Sequence, residues 1–249
     1  MLSPHIFLRR LPLVAIDLLF PRRCVFCKTK ITPEKEGLAL CPRCADSMRR
    51  NVPPLCGCCG RPVNTGALPG TAQRCRECVT HPPHFDRALA PLKYEGAAKA
   101  LIRDFKYRQR DYLGPALSRV MADYLREYSI PLDFVDIVIP IPLHSVRLRE
   151  REFNQAGILA KGIAALLGKK LGEKHLVRRR NTPTQTEREK DRRYENVREA
   201  FEARDPAGLK DANILLVDDV LTTGATCSEA ARALKAAGAA IVLVLTLAN

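Results

Sequence analysis

Along the C-terminal part of the chain, short apolar runs alternate with segments of helical period. Phe85–Tyr94 reads as a short strand, with a turn at Glu95-Gly96. Ala97–Lys106 and Tyr112–Tyr128 repeat apolar residues three and four apart, as helices with one buried face do. Phe134–Pro140 (FVDIVIP) is an apolar run rich in β-branched residues, the pattern of a strand covered on both sides. Asn154–Leu167 is a helix rich in Ala, Leu and Ile. Ile214–Asp218 and Ala240–Leu247 are two more buried strands, separated by a helix over Gly224–Ala237 that Gly238 closes. This order predicts an α/β fold with a mainly parallel sheet flanked by helices. Ligands in such sheets sit beyond the carboxyl ends of the strands.

The N-terminal part lacks this alternation. Leu8–Phe20 is apolar but holds Pro12 and Asp17. It is too short to span a bilayer, and no small-residue cleavage site follows it. An amphipathic segment over 1–21, without stable membrane insertion, is the expectation. From residue 22 to 84 the pattern is set by cysteine. Nine of the chain's ten cysteines lie between Cys24 and Cys78. Four CxxC pairs stand out: Cys24/Cys27, Cys41/Cys44, Cys56/Cys59 and Cys75/Cys78. Each pair places two thiolates on one side of a tight knuckle, and two knuckles about a dozen residues apart complete a tetrahedral zinc site. Two structural zinc sites follow. The pairing is expected to be sequential, giving tandem ribbons; a cross-brace would interleave the pairs. A disulfide framework would need an oxidising compartment, and no secretory signal is evident, so a cytoplasmic location is expected. Cys58 is spare. Four cysteine ligands leave no open position for catalysis, and such a module folds on its metal.

Charge sharpens the picture. The chain has 249 residues with a formal net charge of +14, from 41 Lys+Arg against 27 Asp+Glu. The excess lies in the cysteine-rich module and in Arg147–Arg198. Polyanions are the partners such a balance favours. Aromatic residues are only 6% and Trp is absent, so platforms for base stacking are sparse. Tyr94, Phe105, Tyr107 and Tyr112 are the best placed, and core packing explains each as well.

Two strand ends carry candidate chemistry. Ile214–Thr226 reads ILLVDDVLTTGAT: a strand, two carboxylates, a Thr- and Gly-rich turn, then a helix start. Hydroxyls and first-turn amides at a helix start suit a phosphate. Paired carboxylates repel a phosphate but accept hydrogen bonds from the hydroxyls of a ribose and can assist a divalent metal. A ribose 5-phosphate fits both halves. After the strand ending at Pro140 comes a basic loop, in which Arg147 and Arg151 could grip a pyrophosphate by forked, charge-assisted bonds. Arg149 alternates with acids and suits solvent. His144 suits structure or ligand contact equally. Cys227 reads as a small packed residue.

Ile214–Thr226 closely resembles the phosphoribosyl-pyrophosphate signature of type I phosphoribosyltransferases. The whole chain, from about Cys24 to Leu247, resembles the ComF family of competence proteins. The resemblance rests on the ordered CxxC pairs, Lys93–Gly96, Phe105-Lys106, Pro140–Gln155, Thr182…Gln185…Arg193…Asn196 and Ile214–Thr226. It implies a type I phosphoribosyltransferase domain over 85–249 behind a double zinc ribbon over 22–84. It implies that Asp218 and Asp219 hold ribose hydroxyls and that Thr222, Thr223, Gly224, Ala225 and Thr226 hold the 5-phosphate. Arg147, Arg151 and Lys106 would hold the pyrophosphate of phosphoribosyl pyrophosphate, which binds with Mg2+. Thr182, Gln185, Arg193 and Asn196 would belong to a loop that closes over the site, and residues around 86–110 to a hood for the acceptor. The family also implies a link to DNA uptake. Single-stranded DNA and DNA-processing proteins are therefore candidate partners, and a non-catalytic DNA-binding scaffold or a ribonucleotide sensor is the alternative to an enzyme. One departure stands out. The family usually has Gly where this chain has Glu152, a position suited to positive φ or close approach to ligand.

Overall fold

The computed structural model describes residues 22–31, 39–63, 73–107, 110–181, 195 and 197–249. The expected segment over 1–21 and the expected loop residues Thr182, Gln185, Arg193 and Asn196 lie outside these. Two short helices mark the cysteine-rich module, α1 (Pro42–Asp46) and α2 (Arg76–Thr80), each entered from a cysteine in extended conformation. The body follows as β1 (Arg87–Leu89), α3 (Gly96–Tyr107), α4 (Gly114–Glu127), β2 (Ile137–Pro140), α5 (Ser145–Arg151) and α6 (Gln155–Leu167). It continues with β3 (Lys170–Leu171), β4 (Leu176–Arg178), β5 (Phe201–Ala203), α7 (Pro206–Leu209), β6 (Asn213–Val217), α8 (Ala225–Ala236) and β7 (Ile241–Leu245).

Five strands form one parallel sheet in the order β1-β7-β6-β2-β3. Strand period two splits its apolar residues between two cores. Leu215, Val217, Leu243 and Leu245 share a cluster with α3, α4 and α6. Ile214, Leu216, Val242 and Val244 share the other with α8. Burial on both faces explains why β6 and β7 read as continuous apolar runs.

Helices α4 and α6 pack very closely. A Cβ on Gly162 would stand 2.3 Å from Ser118 Oγ, and one on Gly114 would stand 2.1 Å from a methyl of Ile158. Ser118 Oγ donates to the Leu159 carbonyl across the same contact at 3.3 Å.

The zinc module straddles the β1 side of the sheet. Cys24 and Cys44 belong to the α3–α4–α6 core, whereas Cys56, Cys58, Cys59 and Cys78 belong to the α8 core. The Ala88 amide of β1 donates to the Cys58 carbonyl at 2.7 Å. An otherwise open strand edge is thus covered, which removes a pairing hazard.

Three features differ from expectation. Ser145–Arg151, read as a loop, is a helix; His144 caps it, its Nδ1 accepting from the Val146 amide at 3.4 Å. The strand read over Phe85–Tyr94 is shorter, Arg87–Leu89, and stands at the edge of the main sheet. An antiparallel hairpin, β4 with β5, was not foreseen. Each of its strands has three residues, too few for a period-two signal.

Candidate functional site

The carboxyl end of β6 delivers Asp218 and Asp219 to the floor of a cavity of about 660 Å³. The Asp218 amide donates to the Leu245 carbonyl and the Leu247 amide to the Asp219 carbonyl, so the neighbouring strand fixes both positions. Asp218 Oδ1 accepts from the Asp219 amide at 2.8 Å. Burial, then the charge of Asp219, push the Asp218 carboxyl up to about 7. Behind it, Cys227 Sγ lies 3.8 Å from Asp218 Oδ2, and burial raises that thiol far above its ordinary value. Cys227 is packed, not poised as a nucleophile.

Lys106, at the end of α3, places Nζ 2.7 Å from Asp219 Oδ1. Burial alone would lower this ammonium; the carboxylates of Asp219 and Asp218 outweigh it and hold it charged. Beyond the acids the chain turns through Gly224, with φ +86, into α8. Thr223 Oγ1 accepts from the Ala225 amide at 3.4 Å. The first-turn amides of a helix have no intrahelical partner, and the dipole favours an anion there. Thr222, Thr223, Ala225 and Thr226 line the cavity at this point.

A second group of lining residues is cationic. Arg147 and Arg151 come from α5 and Arg178 from β4. Arg151 donates to Gln155 Oε1 at 3.2 Å and to Tyr107 Oη at 3.3 Å, and its guanidinium lies 5.0 Å from the Tyr107 ring centre. Gln155, 1% exposed, also donates to the Lys106 carbonyl at 3.3 Å. One buried amide therefore ties the ends of α3 and α5 together. Arg178 stacks on Phe201, 5.4 Å from its ring centre. Burial lowers the Arg178 guanidinium and Arg147 and Arg151 add to this, while Asp218 opposes it. Like charges crowd here, as a site for a multiply charged anion requires.

The zinc-type ligands gather in two sets, Cys24/Cys27/Cys41/Cys44 and Cys56/Cys59/Cys75/Cys78, the sulfurs of each set within 4.8 Å of one another. Cys27–Cys41 and Cys59–Cys75 separations are both 3.6 Å. A tetrahedral zinc with Zn–S of about 2.3 Å needs sulfurs about 3.8 Å apart, so the sets fit. No cysteine is in a disulfide. Sequential pairing holds, and Cys58 is outside both sets. Each set contains an acidic thiol. The Thr29 hydroxyl lowers Cys27 to about 6, and the Cys78 thiol lowers Cys59 to about 5. Among the described residues no other group of three or more His, Cys, Asp or Glu ligands is gathered.

Comparison with known proteins accords with both halves. A double zinc ribbon family model matches residues 15–79, and a phosphoribosyl transferase domain model matches 155–249. The "DNA utilization protein YhgH" of Salmonella typhi is 31% identical over 90% of this chain and 95% of its own length. "Competence protein F" of Haemophilus influenzae is 28% identical over 92% and 98%, and "Competence protein ComFC" of Bacillus subtilis 26% over 87% and 90%. The chain belongs to the ComF family. Among solved structures, a glutamine phosphoribosylpyrophosphate amidotransferase from B. subtilis shares 20% identity at a TM-score of 0.38, over 58% of this chain and 30% of that one. That likeness carries no argument about function.

Within this ComF-family chain, one cavity gathers Asp218, Asp219, Thr222, Thr223, Ala225, Thr226, Arg147, Arg151 and Lys106. Lys106 faces the acids rather than standing with the arginines. Glu152 does occupy the left-handed region, with φ +66. Two contributors were not assigned to the site from sequence, Arg178 and Gln155; Tyr107, read there as a candidate stacking platform, packs on Arg151. Arg178 was one of three adjacent arginines, of which it alone lines the cavity. Arg179 pairs with Glu202, and Arg180 donates to the Arg198 carbonyl. The alternation of a strand separates 178 from 179, but only a recognised hairpin could have supplied it.

Proposed function

We propose that this protein binds 5-phosphoribosyl 1-pyrophosphate with Mg2+ and transfers the phosphoribosyl group to an acceptor. The observation that carries the reading is a meeting within one cavity. A carboxylate pair, a Thr- and Gly-rich helix start and the guanidinium groups of Arg147, Arg151 and Arg178 line it together. Asp218 and Asp219 accept the ribose hydroxyls. Thr222–Thr226 take the 5-phosphate through hydroxyls and amides. The arginines hold the pyrophosphate and stabilise the charge it gains as it leaves. Lys106, released from Asp219 as the ribose arrives, is within the same cavity to join them.

The acceptor's lone pair forms the new bond at the anomeric carbon while the bond to pyrophosphate oxygen breaks with its electron pair. Catalysis on this reading is positioning and electrostatics. Mg2+, when bound, would neutralise pyrophosphate oxygens. Among the described residues the carboxylates lining the cavity are Asp218 and Asp219, so on this reading substrate oxygens and water would supply most of its ligands. Two thiolate zinc sites fit a reducing compartment, hence the cytoplasm.

The test is a double substitution, Asp218→Asn with Asp219→Asn. Binding of phosphoribosyl pyrophosphate, read by calorimetry, should be lost while metal analysis still finds two zinc ions per chain. Retained binding would remove the site assignment. A second reading is favoured by the basic module and by relatives named for DNA utilization: the protein binds single-stranded DNA through the zinc module. The two can coexist in one chain.

A further inference from the structure

Both ribbons meet the body at Asn249, and beyond it they touch different parts. Hydrogen bonds on the side of the first ribbon run to residues 90–93, with the Asn51 side chain on the Ala90 and Leu92 carbonyls at 3.0 and 2.9 Å, and to Asn249 Oδ1 at 2.8 Å. The second ribbon reaches the root of the phosphate loop. Arg61, just past Cys59, donates from Nη2 to the Leu221 carbonyl at 3.4 Å. Leu221 immediately precedes Thr222. It is 1% exposed and shares a buried cluster with Cys56, Cys58, Cys59, Cys78 and Phe85. The Phe85 ring lies 3.8 Å from where a Cβ on Gly224 would stand. The second ribbon's own backbone is pressed against the sheet. A Cβ on Gly60, at φ +69, would lie 2.5 Å from the Ala88 carbonyl oxygen. The C-terminal Asn249 donates from Nδ2 to the Cys59 carbonyl at 3.0 Å. The Leu221 amide donates to the Ala248 carbonyl at 2.9 Å, one residue from that anchor.

We propose that the second zinc ribbon is the support of the phosphate loop, so that zinc on Cys56, Cys59, Cys75 and Cys78 and a phosphoribosyl ligand on Thr222–Thr226 stabilise each other. A loop that presents amides to an anion works only if it is held before the anion arrives. Here the holding surface is a ribbon that folds on its metal and has almost no apolar core of its own. Loss of that zinc removes the cover from Leu221 and Phe85 and the anchor at Arg61. By linkage the coupling runs both ways: a bound ligand must protect this zinc. The inference rests on the proposal that the loop takes a phosphate.

The experiment uses the full-length zinc-loaded protein. Alkylation of each cysteine by N-ethylmaleimide is followed by peptide mass spectrometry, with and without saturating phosphoribosyl pyrophosphate and Mg2+. Calorimetry on the same sample reports whether ligand binds. Alkylation at Cys56, Cys59, Cys75 and Cys78 should slow by about fivefold or more, with less than about twofold change at Cys24, Cys27, Cys41 and Cys44. Ligand bound with equal slowing in both sets, or with none, would overturn the coupling and leave the functional reading standing. No ligand binding would overturn that reading and the coupling with it. Arg61→Ala provides a second measurement. Its ligand affinity should weaken about fivefold, with two zinc ions retained per chain, and Arg61→Lys should recover part of it. Unchanged affinity in Arg61→Ala would overturn the role given to the Leu221 contact.

Discussion

Asp218 illustrates at the residue scale how burying one carboxylate beside another opposes stability. Burial and the neighbouring Asp219 raise its carboxyl to about 7. A folded-state value above the unfolded one means the folded protein binds the proton more tightly. The stability this lends is full below about pH 4 and is lost as pH rises through about 7. Asp218→Asn mimics the neutral form at all pH values. The variant should therefore be more stable than the parent at pH 8, by up to about 4 kcal/mol, and the difference should shrink steadily as pH falls and vanish only below about pH 4. Urea unfolding at pH 5, 6.5 and 8 reads this directly. Equal stability of the two proteins at pH 8 would mean the carboxylate is not strained. Glu152 is a second local conflict, a side chain where the left-handed backbone favours glycine. It follows Arg151 directly, so the family's glycine is tied to the shape of the turn that ends α5.

Among elements, the contact of α4 with α6 sets the position of Gln155 and hence of Arg151. The helices approach so closely that Gly162 has no room for a methyl beside Ser118. Gly162→Ala should destabilise by about 1–3 kcal/mol despite the better helix propensity of alanine. Adding Ser118→Gly should return part of that loss, because the clash is with its Oγ and Cβ. Thermal unfolding of the two single variants and the double variant checks this, and additive losses would rule out the contact as the cause. The strands β6 and β7, the helices α3, α6 and α8, and the acid pair at the end of β6 were all legible from apolar period and motif. The hairpin of β4 and β5 was not. Its pairing joins residues more than twenty apart in sequence through strands of three, where local pattern is silent. Arg178 was hidden with it. The helix α5 was missed because seven mostly charged residues after two prolines resemble a loop as much as a turn of helix.

For the whole molecule, charge and metal act together. Each zinc held by four thiolates carries a net charge of about −2, which offsets part of the formal +14. The remaining excess is divided between the cavity and the module surface, where Arg22, Arg23, Arg43 and Arg49 are exposed. The two binding readings therefore separate by location. Reversing Arg23 and Arg43 to glutamate should weaken single-stranded DNA binding about tenfold and flatten its salt dependence, because two phosphate contacts are lost. Phosphoribosyl pyrophosphate binding should be unchanged. Fluorescence anisotropy with a labelled oligonucleotide at several salt concentrations reads the first, and calorimetry the second. DNA binding unaffected by the reversal would exclude this face of the module. Among the described residues no helix is long and apolar enough to cross a membrane.

By itself the sequence determined the layers of this protein and the residues gathered at the end of β6. Apolar period fixes which strands are buried, and CxxC spacing fixes the thiolate knuckles. ILLVDDVLTTGAT carries strand, acids and a Thr- and Gly-rich helix start in consecutive residues, so local geometry alone assembles them. Only the tertiary structure decided what faces that segment. Arg178, Gln155 and Tyr107 come from three separate elements, and the second ribbon reaches Leu221 across more than 150 residues of chain. Such contacts depend on sheet order and on helix packing to within an ångström. No pattern within a short window encodes those.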